Sequence, residues 1–286
     1  MTDISRDAQF DDALENPQGR VLIIAGSDPS GGAGIQADIK TVTALGGYAS
    51  TAITALTVQN TTGVQGVHDV PCEIIAGQIE AVLTDIGTDA IKTGMLANTS
   101  VIESVLESLD AHGDPGLPFV VDPVMVATSG DRLLDTKAIE TVKTALVPRA
   151  TLLTPNAPEA AALTGIEVED MDGQRAAGEA LIEAGARAVL VKGGHIDGGD
   201  IIDVLVTRNG VRLFTRPRLK TRHTHGTGCT LASACAAFLA QGLSVDRAVE
   251  QAGDYLHEAL QHAPGFGKGA GPVGHGWTVQ NPFGRT

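Results

Sequence analysis

The sequence predicts an α/β protein whose mostly parallel central sheet is covered by helices on both faces and ends in an antiparallel edge. Three observations lead there. From Arg20 onward, short β-branched runs alternate with Ala- and Leu-rich helical segments, the order that parallel strands with crossover helices produce. Polar residues recur just after these runs, where open parallel sheets hold their ligands. Near the C-terminus the alternation gives way to two strand-like runs around Asn209-Gly210, a strong hairpin signal.

The elements follow in order. Residues 1–18 are polar and acidic without periodicity and read as a loose leader. "RVLIIAG" is a strand, "GIQADIKTVTALG" a helix, "YASTAITALTVQ" a strand and "EIIAGQIEAVLTD" a helix. "TDAIKTG" and "PFVVDPV" are strands around the helix "TSVIESVLESLDAHG", and "ATLLTPN" and "ARAVLVKGG" flank "EAAALTG" and "GQRAAGEALIEAG". After the hairpin come two helices, "GTGCTLASACAAFLAQG" and "SVDRAVEQAGDYLHEALQH". The Gly-rich stretch from Pro264 reads as a surface tail or one ordered on closure. Neither a long linker nor an internal repeat divides residues 19–286, so a single domain is expected.

Bulk properties narrow the function. With 286 residues and 43% hydrophobic content the chain has material for a sizeable core. A net charge of −14 argues against general affinity for nucleic-acid backbones, and 3% aromatics leave few platforms for stacking bases. No apolar run is long enough for a bilayer, and no signal-like series opens the chain. A cytoplasmic protein without membrane or nucleic-acid partners is expected. Cys72, Cys229 and Cys235 have neither disulfide nor metal spacing.

The glycines of "IAGSDPSGGAGIQAD" resemble two nucleotide loops and satisfy neither. Gly32 stands where a Walker A lysine belongs and Ala33 where its Ser/Thr belongs. "GAGIQA" fits the dinucleotide fingerprint, yet "TVQN" stands where the acidic residue at the end of the second strand is required. An NAD-dependent oxidoreductase is thereby rejected.

Residues beyond the strand ends form an informative set: Asp28, Gln59 and Asn60, Lys92 and Met95, Asp122, Asn156 with Glu159, and Lys192 to His195. In "HTHGTGCTLASA", Gly226 and Gly228 leave backbone N–H groups open at a helix start, where an anion is favoured. Cys229 lies in that first turn, where a thiol pKa tends to fall, and is a candidate base. It also suits a small buried hydrophobe. His223 and His225 form an H-x-H without a third metal ligand nearby. Asn156 and Glu159 equally suit a helix cap, and Lys192 a solvated strand-end charge.

"GSDPSGGAGIQAD", "TALTVQN", "IKTGML", "VVDPVM", "LTPNAPEA", "VKGGH" and "HGTGCTLASA" occur in the order found in hydroxymethylpyrimidine/phosphomethylpyrimidine kinases of thiamine biosynthesis, within the ribokinase-like superfamily. The chain resembles that family from about Val21 to the Gly-rich tail. The resemblance implies a ribokinase-like, three-layer α/β/α fold and ATP-dependent phosphorylation of an aminopyrimidine alcohol and then of its monophosphate. It implies that Gly26, Asp38, Thr57, Gln59 and Met95 hold the pyrimidine. Asp122, Asn156, Glu159, Lys192 and Thr227 would serve ATP and Mg²⁺, with Glu159 and Asp122 holding the metal through water. Gly226 and Gly228 would form the anion site beside the catalytic Cys229. A homodimer is implied in the same way.

Two other readings compete. A pyridoxine or pyridoxal kinase would use the same fold on another ring bearing CH₂OH, while a non-enzymatic sensor would be expected to lose Cys229, Lys192 or the N-x-x-E pair, all of which are present.

Overall fold

The computed structural model describes residues 18–279 except 128–129, 132 and 136. The leader, apart from Gln18, and the last seven residues lie outside the described residues. A nine-stranded sheet carries the chain: β1 (Arg20–Ser27), β2 (Tyr48–Asn60), β3 (Gly63–Asp69), β4 (Ala90–Thr93), β5 (Phe119–Val121), β6 (Leu152–Leu153), β7 (Ala188–Val191), β8 (Asp200–Thr207) and β9 (Gly210–Pro217). Their spatial order is β3-β2-β1-β4-β5-β6-β7-β8-β9. Strands β2, β1, β4, β5, β6 and β7 run parallel, with antiparallel β3 at one edge and the β8–β9 hairpin at the other.

β1 shows how the sheet builds two cores. It is buried along its interior, and successive side chains point to opposite faces. Leu22 and Ile24 join the cluster under α2 (Cys72–Ala81), α3 (Thr99–His112), α4 (Ala138–Thr141), α5 (Ala157–Thr164) and α6 (Met171–Glu183). Val21, Ile23 and Ala25 join the opposite cluster, under α1 (Gly34–Ala44), α7 (Thr227–Ala240) and α8 (Val245–Gln261). Helices therefore cover both faces. α7, rich in alanine, is buried on nearly every side against the sheet and α8.

The structure departs from expectation in four places. An antiparallel edge was expected at the C-terminal hairpin only, but β3 forms a second one. Its "GVQGVHD" has little apolar alternation, and Thr61-Thr62 closes the turn, with Asn60 Oδ1 accepting from the Thr62 N–H at 2.8 Å. In the C-terminal hairpin Thr207 pairs with Gly210, so Arg208 and Asn209 are the central turn residues. Helical turns over Ala138–Arg149 have no counterpart in the sequence reading. The tail after Pro264 is packed rather than superficial: Val273 and His275 are buried, and Trp277 stacks on His262 at 5.9 Å.

The strand order reverses between β1 and β4. From β1 the chain passes outward to β2 and β3, then returns to β1's other side. Such a switch point opens a crevice beyond the carboxyl ends of the strands. Among the described residues, no helix is long and apolar enough to cross a membrane.

The two-residue β6 links the halves of the sheet, and both of its leucines are fully buried. Leu153→Ala is expected to cost about 2–5 kcal/mol of stability, measured by urea unfolding with the transition slope unchanged.

Candidate functional site

At the switch point the first Gly-rich turn is organised around one carboxylate. Asp28, 2% exposed, accepts from the Ser30 N–H, the Ser30 hydroxyl and the Ala33 N–H, each at 2.8 Å. Its fourth partner is His225 Nε2, also at 2.8 Å, from the second Gly-rich turn. Burial pushes the Asp28 carboxyl up, but the bonds from His225, Ser30 and Ala33 outweigh it and hold the group below the usual range. Gly226 follows with φ +81°, and a Cβ there would collide with the Gly32 carbonyl oxygen. Turns almost two hundred residues apart are thus pressed together, and Gly226 serves both as a left-handed cap and as the gap that lets Gly32 in.

Behind this clasp, Thr227, Gly228 and Cys229 form the first turn of α7. Helix geometry leaves the N–H groups of this turn without partners inside the helix, and they are suited to an anion. Lys192 Nζ and Asp122 Oδ2 stand 3.3 and 3.7 Å from where a Cβ on Gly228 would lie. Two strand ends, after β5 and β7, thus bring a carboxylate and a cation to a helix start.

Lys192 donates to Asp122 Oδ1 at 3.1 Å and lies 3.9 Å from Glu159 Oε2. Asp122 also accepts from the Thr154 hydroxyl at 3.1 Å. Burial lowers the Lys192 pKa, but Asp122 and Glu159 outweigh it and raise the value. Asn156 and Glu159 form a reciprocal capping box on α5, with Asn156 Oδ1 accepting from the Glu159 N–H and Glu159 Oε2 from the Asn156 N–H, each at 2.8 Å. The cap reading holds in this structure, and it aims the Glu159 carboxylate at Lys192. Burial first, then the Asp122 charge, push Glu159 up to about 7 against the pull of Lys192.

No three His, Cys, Asp or Glu side chains among the described residues cluster tightly enough to hold a metal alone. Two buried carboxylates, one of high proton affinity, instead fit a Mg²⁺ that keeps its waters and leans on phosphate oxygens.

On the β1–β2 side, the Thr57 hydroxyl donates to the Ser27 carbonyl at 2.8 Å and lies 3.2 Å from Gln59 Oε1. Gly26 is buried, and a Cβ on it would lie 3.1 Å from Met95 Sδ, so the bare backbone makes room for the Met95 side chain. Gly26 thus neighbours Met95, and Thr57 neighbours Gln59, at the β1–β2 end of the switch point.

Asp38 does not join them, contrary to expectation. It is fully buried, accepting from Lys92 Nζ at 2.8 Å on one oxygen and from the Ser233 hydroxyl at 2.7 Å on the other. A carboxylate so enclosed and so paired has nothing left for a ligand ring. The expected fall in the Cys229 thiol pKa is also reversed: burial pushes it up to about 12 although Lys92 pulls it down. The helix start alone cannot offset the loss of water. The H-x-H dissolves as a metal motif, since His225 is taken by Asp28.

Sequence reasoning gave Asp28 no role beyond its strand-end position, weighed His225 only as part of a metal pair, and left out Gln36 and Thr154. Gln36 bridges the first loop, accepting from the Asp28 N–H and donating to the Ser27 hydroxyl, each at 2.8 Å. The available signal was Asp28 itself, a carboxylate one residue past a strand and two before a serine.

A model of the family described as phosphomethylpyrimidine kinase matches residues 28–274. The hydroxymethylpyrimidine/phosphomethylpyrimidine kinase of Streptomyces coelicolor is 48% identical over 91% of this chain and 95% of its own length. A thiamine biosynthesis bifunctional protein of Geobacter sulfurreducens is also 48% identical over 91% of this chain, which spans 52% of that longer protein. Among solved structures, a phosphomethylpyrimidine kinase from Clostridium difficile superposes with TM-score 0.74 at 42% identity, covering 84% of this chain and 98% of that one. Pyridoxal kinase from Staphylococcus aureus in complex with ADP gives 0.83 at 36% identity, covering 90% and 93%.

Because the fold raises the proton affinity of Glu159, its contribution to stability is present below the ordinary carboxylate pKa and is lost as pH rises through about 7. Glu159→Gln keeps an acceptor for the cap and removes that loss. At pH 8 the variant is expected to be more stable than the parent by roughly 1–3 kcal/mol, with the difference shrinking toward pH 5, as read from urea unfolding at both pH values.

Proposed function

Since the chain belongs to the phosphomethylpyrimidine kinase family, we propose that it phosphorylates 4-amino-5-hydroxymethyl-2-methylpyrimidine with ATP and then phosphorylates the monophosphate, in thiamine diphosphate biosynthesis. The observation that carries this reading is the clasp of the two Gly-rich turns. It brings the α7 start, with Cys229 in its first turn, against the loop after β1, and on this reading Gly26, Thr57, Gln59 and Met95 form the wall for the acceptor. An acceptor ring on that wall would have its CH₂OH facing the anion site. The protein is expected to act in the cytoplasm.

Phosphoryl transfer asks mainly for alignment and charge neutralisation. The N–H groups at Gly226 to Cys229 receive the transferring phosphoryl group, and Lys192 offsets phosphate charge. Mg²⁺, when bound near Glu159 and Asp122, neutralises the nucleotide's phosphate oxygens. In the first reaction the alcohol oxygen bonds to the γ-phosphorus and gives its proton to the Cys229 thiolate. The bond to the bridging oxygen breaks, and that oxygen leaves with the electron pair on ADP. In the second, the acceptor is a phosphate with a second pKa near 6, already dianionic at neutral pH. It needs positive surroundings more than a base.

Pyridoxal kinase activity is the second reading, favoured by the 0.83 TM-score, whereas sequence identity favours the pyrimidine. ADP release with Mg-ATP is to be measured against hydroxymethylpyrimidine, its monophosphate and pyridoxine. Turnover of both pyrimidines is expected, and turnover of neither refutes the main reading. Cys229→Ala is expected to slow the alcohol step about 10²-fold or more and the phosphate step much less. With the thiol near 12, the parent's alcohol step should accelerate with pH from 7 to 9 while the phosphate step levels off.

A homodimer is part of the proposal. Leu56 and Val58, alternate residues on β2, are 47% and 60% exposed near the sheet edge, as suits a face covered by a second copy. Val58→Asp is expected to shift the protein from dimer to monomer in light scattering; an unchanged mass would count against this face.

A further inference from the structure

The Asp38–Lys92 ion pair has no task in the reading above. Both side chains are fully buried. Such a pair is weak evidence for stability, because apolar residues of similar volume generally do as well. Its position says more. Ser233 follows Cys229 by four residues in α7 and so shares its face, one turn deeper. Its hydroxyl holds one oxygen of Asp38, and the other holds Lys92 Nζ. Lys92 is therefore tethered, through Asp38, to the turn of helix beneath the thiol.

We infer that Lys92, anchored by Asp38 and Ser233, is a positioning residue whose buried charge sets how much of Cys229 is thiolate. The inference rests on the reading of Cys229 as the base of the alcohol step. Charged groups face this thiol from four elements. Lys92 on β4 and Lys192 beyond β7 favour the thiolate, while Asp38 on α1 and Asp122 beyond β5 oppose it. The Gly34 N–H also favours the charged form of the sulfur. Among the charges, Lys92 is the largest influence on the thiol, larger than its own counterion Asp38. A pair that is neutral overall is thus lopsided where Cys229 sits. It also explains why a charge is kept in a place where Met would pack as well. Without Lys92, burial would hold the thiol still further from ionising.

The test is alkylation by neutral iodoacetamide between pH 7.5 and 9.5, followed at each cysteine by peptide mass spectrometry. The double variant Lys92→Met/Asp38→Asn removes both charges together and leaves no unpaired ion in the core. Each pKa unit changes the thiolate fraction tenfold, and the matching change in nucleophilicity offsets about half of the logarithm. Cys229 is therefore expected to react at least about threefold more slowly in the variant, with half-buried Cys72 unchanged and buried Cys235 still inert. ADP release should fall for the alcohol and hold for the monophosphate, a split that general disorder would not give. An unchanged rate at Cys229, or a faster one with Cys235 turning reactive, overturns the inference. If the parent turns over neither pyrimidine, the kinase reading fails, while the Cys229 rates still decide the role of Lys92.

Discussion

Two glycine-rich turns meet at the switch point of the sheet because Gly226 has no side chain and Gly32 presents its carbonyl where one would be. The Asp28–His225 bond closes the contact from the side. On the proposed reading, the acceptor wall and the anion site then have one fixed relation, with Cys229 in the first turn of α7. Alignment of this kind is most of what phosphoryl transfer requires from a protein. A small displacement of either turn would separate the acceptor from the phosphate it attacks.

Around the clasp the protein concentrates positive charge that its composition otherwise lacks. The chain carries −14 overall, yet Lys92 and Lys192 are both withdrawn from solvent at the carboxyl end of the sheet. Each is held by carboxylates that burial would otherwise penalise. Lys192 stands with Asp122 and Glu159 before the α7 start, and Lys92 with Asp38 lies beneath the thiol. Low-dielectric surroundings strengthen each of these charges. They also make each group's protonation depend on its neighbours, as the raised Glu159 and Cys229 values show.

The β1–β2–β4 region shows how far sequence reasoning reached. Alternating strand and helix runs identified a parallel sheet, and polar residues after the strands pointed to one of its edges, because apolar patterning and turn chemistry are local properties. β3 escaped because a short strand paired at an edge needs no apolar alternation. Gln59 and Met95 were legible as strand-end residues. Asp38 was misplaced because a carboxylate on a helix after a Gly-rich turn looks the same in sequence whether it faces the ligand or the core.

By itself the sequence determined the fold class, the order of the elements apart from β3 and the helical turns over Ala138–Arg149, the family resemblance and the two glycine-rich turns, all of which follow from local patterns and motif spacing. Only the tertiary structure decided that these turns clasp each other through Asp28 and His225, that Lys92 claims Asp38, and that the Cys229 thiol is pushed up rather than down. Those outcomes depend on which distant groups burial brings together and on how much water it removes, quantities that no local pattern encodes.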